Sequence, residues 1–495
     1  MHNGKFFTIK DVLGLLQQVS SKNSQNLEGQ TGKFGTGFIG TFLISNIVEV
    51  KGIIKINDKD FRQFEMKLDR SETRSEYLAK DIEKTIEAFL NYDKKSGIFK
   101  DKKKNYLKNR KETDFDTCFI YHLNDEQKKN SAKEGMEDLN NTILIALIIL
   151  NKKIKQITLI DKEKQIEKTF ISYSEGDEKK NDITEFTVKT IFKIREHNQF
   201  ENYIYFLSYL KFDNKSKKEI LRLIKEIGKI EEIIVLGKRD TKIPMLYRNF
   251  PLIGSNEFHM PFYVDGSNFN PLEARNGIVL NGFMHGNEES KENIFILEEV
   301  YNSIIVFIQL ILKKYKYLKN TFLLASTKMP IPIVHFDDYA NKWFYKKQTF
   351  LREKLRDLPL IRMDSNYPLK DLLLPIFNEN YNDNFYDVVS NLNIRKKIIP
   401  EKEFYHNWFD IIVGENNESK NIRLKDNLFI KSWGVTKNEE LGEEEINYIY
   451  DEVSLLKDIN YCKNIKTLSS KLGKNKSEII KCLNDFILFL KNNCK

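Results

Sequence analysis

The 495-residue chain is 41% hydrophobic and 31% charged, which excludes a disordered or fibrous protein and leaves room for roughly two to four domains with ordinary cores. Its 80 Lys and Arg against 71 Asp and Glu leave a net charge of +9, too slight an excess to point to nucleic acid by itself. Four cysteines without a C-x-x-C pair and seven scattered histidines argue against a zinc site or a disulfide framework.

The N-terminus, MHNGKFF, lacks the basic-then-apolar order of a signal peptide. The longest apolar runs, at 143–150 and 304–312, fall short of the roughly 20 residues of a membrane helix. A soluble, cytoplasmic protein is expected.

The first predicted element is a helix over 8–19, where Thr8 and Asp11 have the spacing of a capping box and Ile9, Val12, Leu13 and Leu16 recur at helical intervals. A polar loop, SSKNSQNLEGQ, leads to three glycines. Beyond them FIGTFLIS reads as a short buried helix and IVEVKGIIKI (47–56) as a strand with a bulge at Gly52. Leu78, Ile82, Ile86 and Phe89 mark a helix over 76–90, and the basic run KDKKKNYLKNRK (100–111) precedes an alternating strand, FDTCFIYHL (115–123). A helix over about 133–150 is followed by strand-like runs, IKQITLI, KTFISYS, EFTVKTIFKI and NYIYFLSYL. From about 293 the pattern turns helical, interrupted by MPIPIVHF, and stays mostly helical and amphipathic to the end.

The segment TGKFGTGF (31–38) places Gly32, Gly35 and Gly37 in the order G-x-x-G-x-G. A Walker loop would close on a lysine after its last glycine, whereas Lys33 follows the first. A dinucleotide fingerprint would follow a strand, whereas a polar loop precedes this one. What fits is a loop that opens a new helix, whose free N–H groups and dipole face an anion. Glycine suits it because a Cβ would hold phosphate oxygens away from the backbone. The plainer alternative is a structural turn between loop and helix.

With its surroundings, this box resembles that of the GHKL ATPases (gyrase, the 90-kDa heat-shock chaperone, histidine kinases, MutL), and most closely their sacsin-like branch. HNGKFFTIKDVLGLLQQVSSK upstream, LDRSE (68–72), the strand DTCFIYHL and the block FPLIGSNEFHMPFYVDGSNFNPLEARNGIVL (250–280) are similar to further sacsin-like segments, in the same order. The resemblance spans roughly residues 1–280.

It implies that Gly32, Gly35 and Gly37, with the amides around Lys33, Phe34, Thr36 and Phe38, form a mobile lid and bind the phosphates of ATP. Asn3 and Gly4 would lie in the adenine-side box, Thr117 beneath the base, and Ser20, Ser21 and Lys22 at the start of the lid, within reach of phosphate. Arg275 would be the middle-domain arginine that reaches the γ-phosphate in some relatives, against the plainer reading of a surface arginine ordering a loop. Thr117 is equally a threonine placed for β-propensity.

Two departures stand out. His2 occupies the place where the family offers an aspartate to the exocyclic amine of adenine. The family's first helix, with its water-activating glutamate and magnesium-holding asparagine, precedes the HNG box, which here begins at the second residue. ATP hydrolysis by this chain alone is therefore not expected, since a missing general base removes about 10²–10⁴-fold of rate. A late start, a split or decayed gene, and a degenerate binding module all remain open.

Lys238 and Arg239 read as surface charges, and His259 and His335, among apolar residues, as core or rim side chains. KDKKKNYLKNRK is either a solvated face or, with Tyr106, a track for a nucleic-acid backbone. IKTLSSKLGKNKSEIIKCLNDFIL has the rhythm of a helix-turn-helix with Gly473 at the turn, a rhythm shared by helical hairpins. The expected fold is α/β (α+β): an incomplete GHKL sandwich over 1–128, an α+β middle domain over 129–330 and a mainly helical region over 331–495. The expected function is ATP binding, with Mg2+, that closes a lid and drives a chaperone-like or defence-associated switch. The alternative is a non-catalytic module binding a protein or nucleic acid through its basic and helical segments.

Overall fold

A computed structural model describes residues 1–17, 41–42, 44–55, 61–72, 74–95, 115–149, 154–174, 186–196, 199–214, 217–229, 234–235, 243–248, 251–252, 254–266, 268–272, 277–314, 318–327, 336–363, 365–414, 428–437, 444–446 and 448–493. The chain is mixed α/β and divides into two compact units, Met1–Ile143 and Leu144–Lys495. The boundary expected after residue 128 falls inside a continuous helix, Glu126–Ile149. The one expected after 330 lies outside the described residues.

In the first unit, helix α1 (Ile9–Gln17) begins with the capping box its spacing predicts. Thr8 N–H and Oγ1 donate to Asp11 Oδ2 at 2.8 and 2.7 Å, and Asp11 N–H donates back to Thr8 Oγ1 at 3.2 Å. Strands β1 (Ile47–Lys55), β2 (Phe61–Asp69) and β3 (Cys118–His122) form an antiparallel sheet of order β2-β1-β3. Because side chains alternate along a strand, Val48, Val50 and Ile54 share one face with Phe64, Met66 and Leu68. On that face they form the core with Val12 and Leu16 of α1 and with Ile86 and Phe89 of α2 (Ser75–Lys95). Each fully buried side chain there contributes about 1.5–3 kcal/mol. Thr85 Oγ1, 3.0 Å from Lys67 O, fixes α2 to β2.

The opposite face of the sheet is charged. Lys51 Nζ lies 2.7 Å from Glu49 and 3.1 Å from Glu65, and His122 Nε2 is 3.3 Å from Glu49. The Lys51 ammonium, followed by its other hydrogen-bond partners, holds the Glu49 carboxyl down to about 2. A one-sided antiparallel sheet of this kind explains the clean alternation legible in 47–56 and 115–123.

Gly52 is not a bulge. The β1–β2 register runs unbroken through Gly52 opposite Phe64. Its hydrogen is needed because a Cβ would lie 2.8 Å from Phe7 Cε2 and 2.9 Å from Phe7 Cδ2. The short helix expected at FIGTFLIS (38–45) is described only at 41–42 and 44–45, where Ser45 N–H donates to Thr41 O at 3.0 Å. Helix α3 is the segment Glu126–Ile149, earlier in its start than the apolar pattern suggests.

The second unit opens with an antiparallel meander, β4 (Gln156–Asp161), β5 (Ile166–Ser174), β6 (Phe186–Glu196), β7 (Gln199–Asn214) and β8 (Lys217–Lys229). Strand β8 has no counterpart in the sequence reading, because KKEILRLIKEIGK is built of good helix formers. Pairing with β7 along its whole length overrides that preference. Two short strands, β9 (Leu246–Tyr247) and β10 (Tyr263–Gly266), complete the sheet in the order β9-β10-β8-β7-β6-β5-β4.

The block 250–280 proves to be core in its described part: Leu252, Phe258, Met260, Phe262, Val264, Phe269 and Ile278 are all buried. Helices α4 (Glu288–Lys314) and α5 (Asp338–Leu355) satisfy its backbone. Asn293 Nδ2 donates to Asn270 O and Val279 O at 2.9 and 2.8 Å, and Gln348 Nε2 donates to Phe258 O at 2.6 Å. Helix α4 holds the run IIVFIQLIL. An 18-residue window within Glu288–Lys313 has a mean hydropathy of 1.8 and would suit a membrane span by length and composition, but half of that window is buried in this unit. Asn293 Oδ1 accepting from Asn270 N–H and the buried Ser290 Oγ donating to Leu280 O fit a core helix.

Beyond α5 come α6 (Asp383–Asn391), α7 (Lys402–Val413), α8 (Leu428–Lys431), α9 (Glu452–Tyr461), α10 (Ile465–Leu472) and α11 (Lys476–Asn493). Short pairings stitch them together, such as Leu374–Pro375 parallel to Ile449–Tyr450.

Candidate functional site

Three of the residues singled out in sequence, Asn3, Gly4 and Thr117, come together. His2 N–H donates to Thr117 O at 2.9 Å and Thr117 N–H returns to His2 O at 3.1 Å, an antiparallel pairing at the head of β3. At the other end of the segment Phe7 N–H donates to Ile53 O at 2.9 Å, and Lys55 N–H donates to Phe7 O at 2.7 Å. Direct β1–β3 pairing stops at Lys51 opposite Cys118. Residues 2–7 therefore strap together the ends of two strands where their own ladder has run out.

Thr117 is 2% exposed. It lies two residues before Phe119, which packs on the core, so alternation puts Thr117 on the helix-covered face of the sheet. His2 stacks over Phe119 with ring centroids 6.3 Å apart. The residue as a whole is exposed, yet desolvation of its ring holds the imidazole below its ordinary value. Gly4 N–H donates to His2 Nδ1 at 3.1 Å. The neutral ring therefore carries its proton on Nε2, and its free edge is a donor. A Cβ at Gly4 would lie 3.1 Å from Nδ1, so a side chain there would displace the ring.

Ser20, Ser21, Lys22, Gly32, Lys33, Phe34, Gly35, Thr36, Gly37, Phe38 and Arg275 lie outside the described residues, as do Lys238, Arg239, His335 and the run 100–111. His259 is a rim side chain, half-buried, with Nε2 3.6 Å from Glu257. Among the described residues no three His, Cys, Asp or Glu side chains gather as metal ligands.

The strap itself is what sequence reasoning missed. Its signal was a glycine inside a strand, read as a bulge, together with an aromatic pair, Phe6 and Phe7, close to the N-terminus. Phe7 meets Phe64 at 5.2 Å and Phe119 at 6.4 Å, both edge-on, so it joins β2 and β3 across β1. Comparison with family models, curated proteins and solved structures finds no match to this chain.

Proposed function

We propose that the first unit binds ATP as a GHKL-type sandwich of the sacsin-like kind, in a cytoplasmic protein whose second unit begins as an α+β middle domain and ends in a mainly helical region. The observation that carries this reading is the pairing of the HNG segment with buried Thr117 on the helix-covered face of the sheet, in a chain that also holds TGKFGTGF. Residues far apart in sequence, chosen for one base-binding role, are neighbours in the fold.

A nucleotide fits the described groups in one respect and departs in another. Gly4 leaves room beside a flat, fixed ring, and Thr117 supplies a hydroxyl on the enclosed face of the sheet. His2, with Nδ1 engaged by Gly4, offers a donor where an exocyclic amine needs an acceptor. Asn3, Gly4 and Thr117 would hold the base side. Gly32, Gly35 and Gly37, with the amides of Lys33, Phe34, Thr36 and Phe38, would hold the phosphates, helped by Ser20, Ser21 and Lys22. Bound Mg2+ would travel with the nucleotide and neutralise phosphate charge, and no residue of this chain is assigned as its ligand.

Binding rather than turnover is the activity these residues support. A switch follows if ATP binds a closed lid more tightly than an open one, because a ligand shifts an equilibrium only by its differential affinity. A chaperone-like or defence-associated role, with a protein client, is the setting such a switch suits. The test is calorimetric titration with Mg·ATP of the native chain and of a folded Gly35→Val, Gly37→Val variant. Binding tighter than about 1 mM that disappears in the variant supports the reading, and no binding by the native chain overturns it.

A further inference from the structure

The last three helices, α9, α10 and α11, share one apolar cluster through Leu455, Cys462, Leu468, Ile479, Phe486 and Phe489. Between α10 and α11 lies a three-residue turn, 473–475, fixed at both ends. Gly473 adopts φ 66°, ψ 24°, and its N–H donates to Ser469 O, closing α10. Asn475 and Glu478 then form a reciprocal capping box: Asn475 N–H donates to Glu478 Oε2 at 2.8 Å, and Glu478 N–H to Asn475 Oδ1 at 2.9 Å. A simple hairpin of antiparallel helices needs no third helix in its core. The same cluster also takes in Phe385, Val388 and Val389 of α6, and within it α9, α10 and α11 follow one another in the order of a tri-helical helix-turn-helix.

The surface of this element is basic out of proportion to the chain. Across 452–493 there are eight lysines and four acids, among them Asp485 on α11, and from Lys463 to Lys481 there are six lysines and one acid, Glu478, whereas the whole protein carries 80 basic against 71 acidic residues. That one acid is engaged by the turn it caps. Lys474 is also structural, its Nζ donating to Asn391 O at 2.9 Å, and Lys471 lies over the Tyr461 ring. Lys463, Lys466, Lys476 and Lys481 remain exposed and make no ion pair among the described residues.

Position completes the case. The core side of α11 is Ile479, Phe486 and Phe489, so Ser477, Ile480, Lys481 and Asn484 stand on its outer side, all exposed. Lysine, serine and asparagine are side chains that bond base edges, and an isoleucine suits a thymine methyl. Lys466 and Ser470, on the outer side of α10, are placed to meet phosphates as the first helix of such a motif does. At 18 residues, α11 is about 27 Å long and fits a major groove.

From these observations we infer that α9–α11 form a duplex-DNA-binding element, with the first two turns of α11 in the major groove and Lys466 on the backbone. This property does not depend on nucleotide binding by the first unit. Double-stranded RNA, whose major groove is deep and narrow, is disfavoured by the same geometry.

The experiment is fluorescence anisotropy of the full chain with a labelled mixed-sequence DNA duplex of about 30 base pairs, at about 50 mM salt and upward. Lys466→Glu, Lys476→Glu, Lys481→Glu together should weaken binding at least about tenfold and lower the salt slope by about 0.9 for each lysine that contacts phosphate. Lys476→Gln, Lys481→Gln, a milder pair, should weaken it in the same direction if the charge reversals disturb folding. Lys102→Glu, Lys103→Glu, Lys104→Glu, in the other basic run, should leave DNA affinity within about twofold. Absence of binding by the native chain overturns the inference. So does equal affinity for duplex RNA, indifference to both α10–α11 variants, or loss of binding in the 102–104 variant instead.

Discussion

The Phe7 ring sits against Gly52 so closely that a single added methyl would come within 2.8 Å of it. Through this contact the residues just after the HNG segment are seated on the central strand of the first sheet, and the segment itself is held beside Thr117. Gly52→Ala should therefore destabilise the protein by about 1–3 kcal/mol in denaturant unfolding, the usual cost of overpacking. Phe7→Leu should recover part of that loss when combined with it. Independent, additive effects of the two substitutions would mean that the contact does not couple them.

The pH dependence of the strap follows from His2. Desolvation lowers its pKa in the folded protein, so the unfolded chain binds the proton more readily. Stability from this site is present above the ordinary histidine value, about 6.5, and is lost as pH falls from there toward the folded value. Protonation also turns Nδ1 into a donor facing the Gly4 N–H, which breaks their bond. Ring-nitrogen NMR should show His2 titrating below the ordinary value, and Phe119→Ala should move it back up. A His2 that titrates normally in both proteins contradicts the stacked, desolvated ring.

Asp337 caps α5 with Oδ1 accepting from Ala340 N–H, while Oδ2 accepts from Gly282 N–H, each at 2.8 Å. The Ala340 bond foremost, then the Gly282 and Tyr339 amides, hold its carboxyl below the ordinary aspartate range. That stability is complete above the ordinary value of about 3.9 and is lost as pH falls through the lowered folded value. Asp337→Ala should cost about 0.5–2 kcal/mol near neutrality. In thermal unfolding its difference from the native protein should shrink at the acid end. A difference that does not change with pH would assign the loss to packing.

If the base side of a nucleotide meets His2, base preference should respond to that residue. His2→Asp supplies an acceptor for an exocyclic amine, and one hydrogen bond of about 0.5–1.5 kcal/mol should raise the preference for ATP over GTP by about 2–10-fold in competition binding. An unchanged ratio would place His2 away from the base.

What the sequence disclosed follows from locality. The Thr8–Asp11 cap, the alternation in 47–56 and 115–123 and the periodicity of 76–90 are each set by residues within a turn or two. The purpose of Gly52 was hidden because Phe7 reaches it only through the fold. Strand β8 was hidden because its pairing with β7 outweighs a helix-forming composition. The block 250–280 was noticed for its likeness to a family motif. Its described residues are dominated by core packing, held by Asn293 and Gln348 from later helices that no local pattern connects to it. Of the candidate site, Asn3, Gly4 and Thr117 were identifiable only through resemblance, since a buried threonine on a strand is ordinary by composition.

The central claim is that the HNG segment, the glycine box and the head of β3 belong to one nucleotide site. Amide hydrogen exchange of the full chain, with and without saturating Mg·ATP, tests it most directly, because a ligand slows opening of the segments it holds. The expected result is simultaneous protection of residues 1–7, 31–38 and 115–119, lost together in the Gly35→Val, Gly37→Val variant. Protection confined to other segments, or none at full saturation, would contradict it.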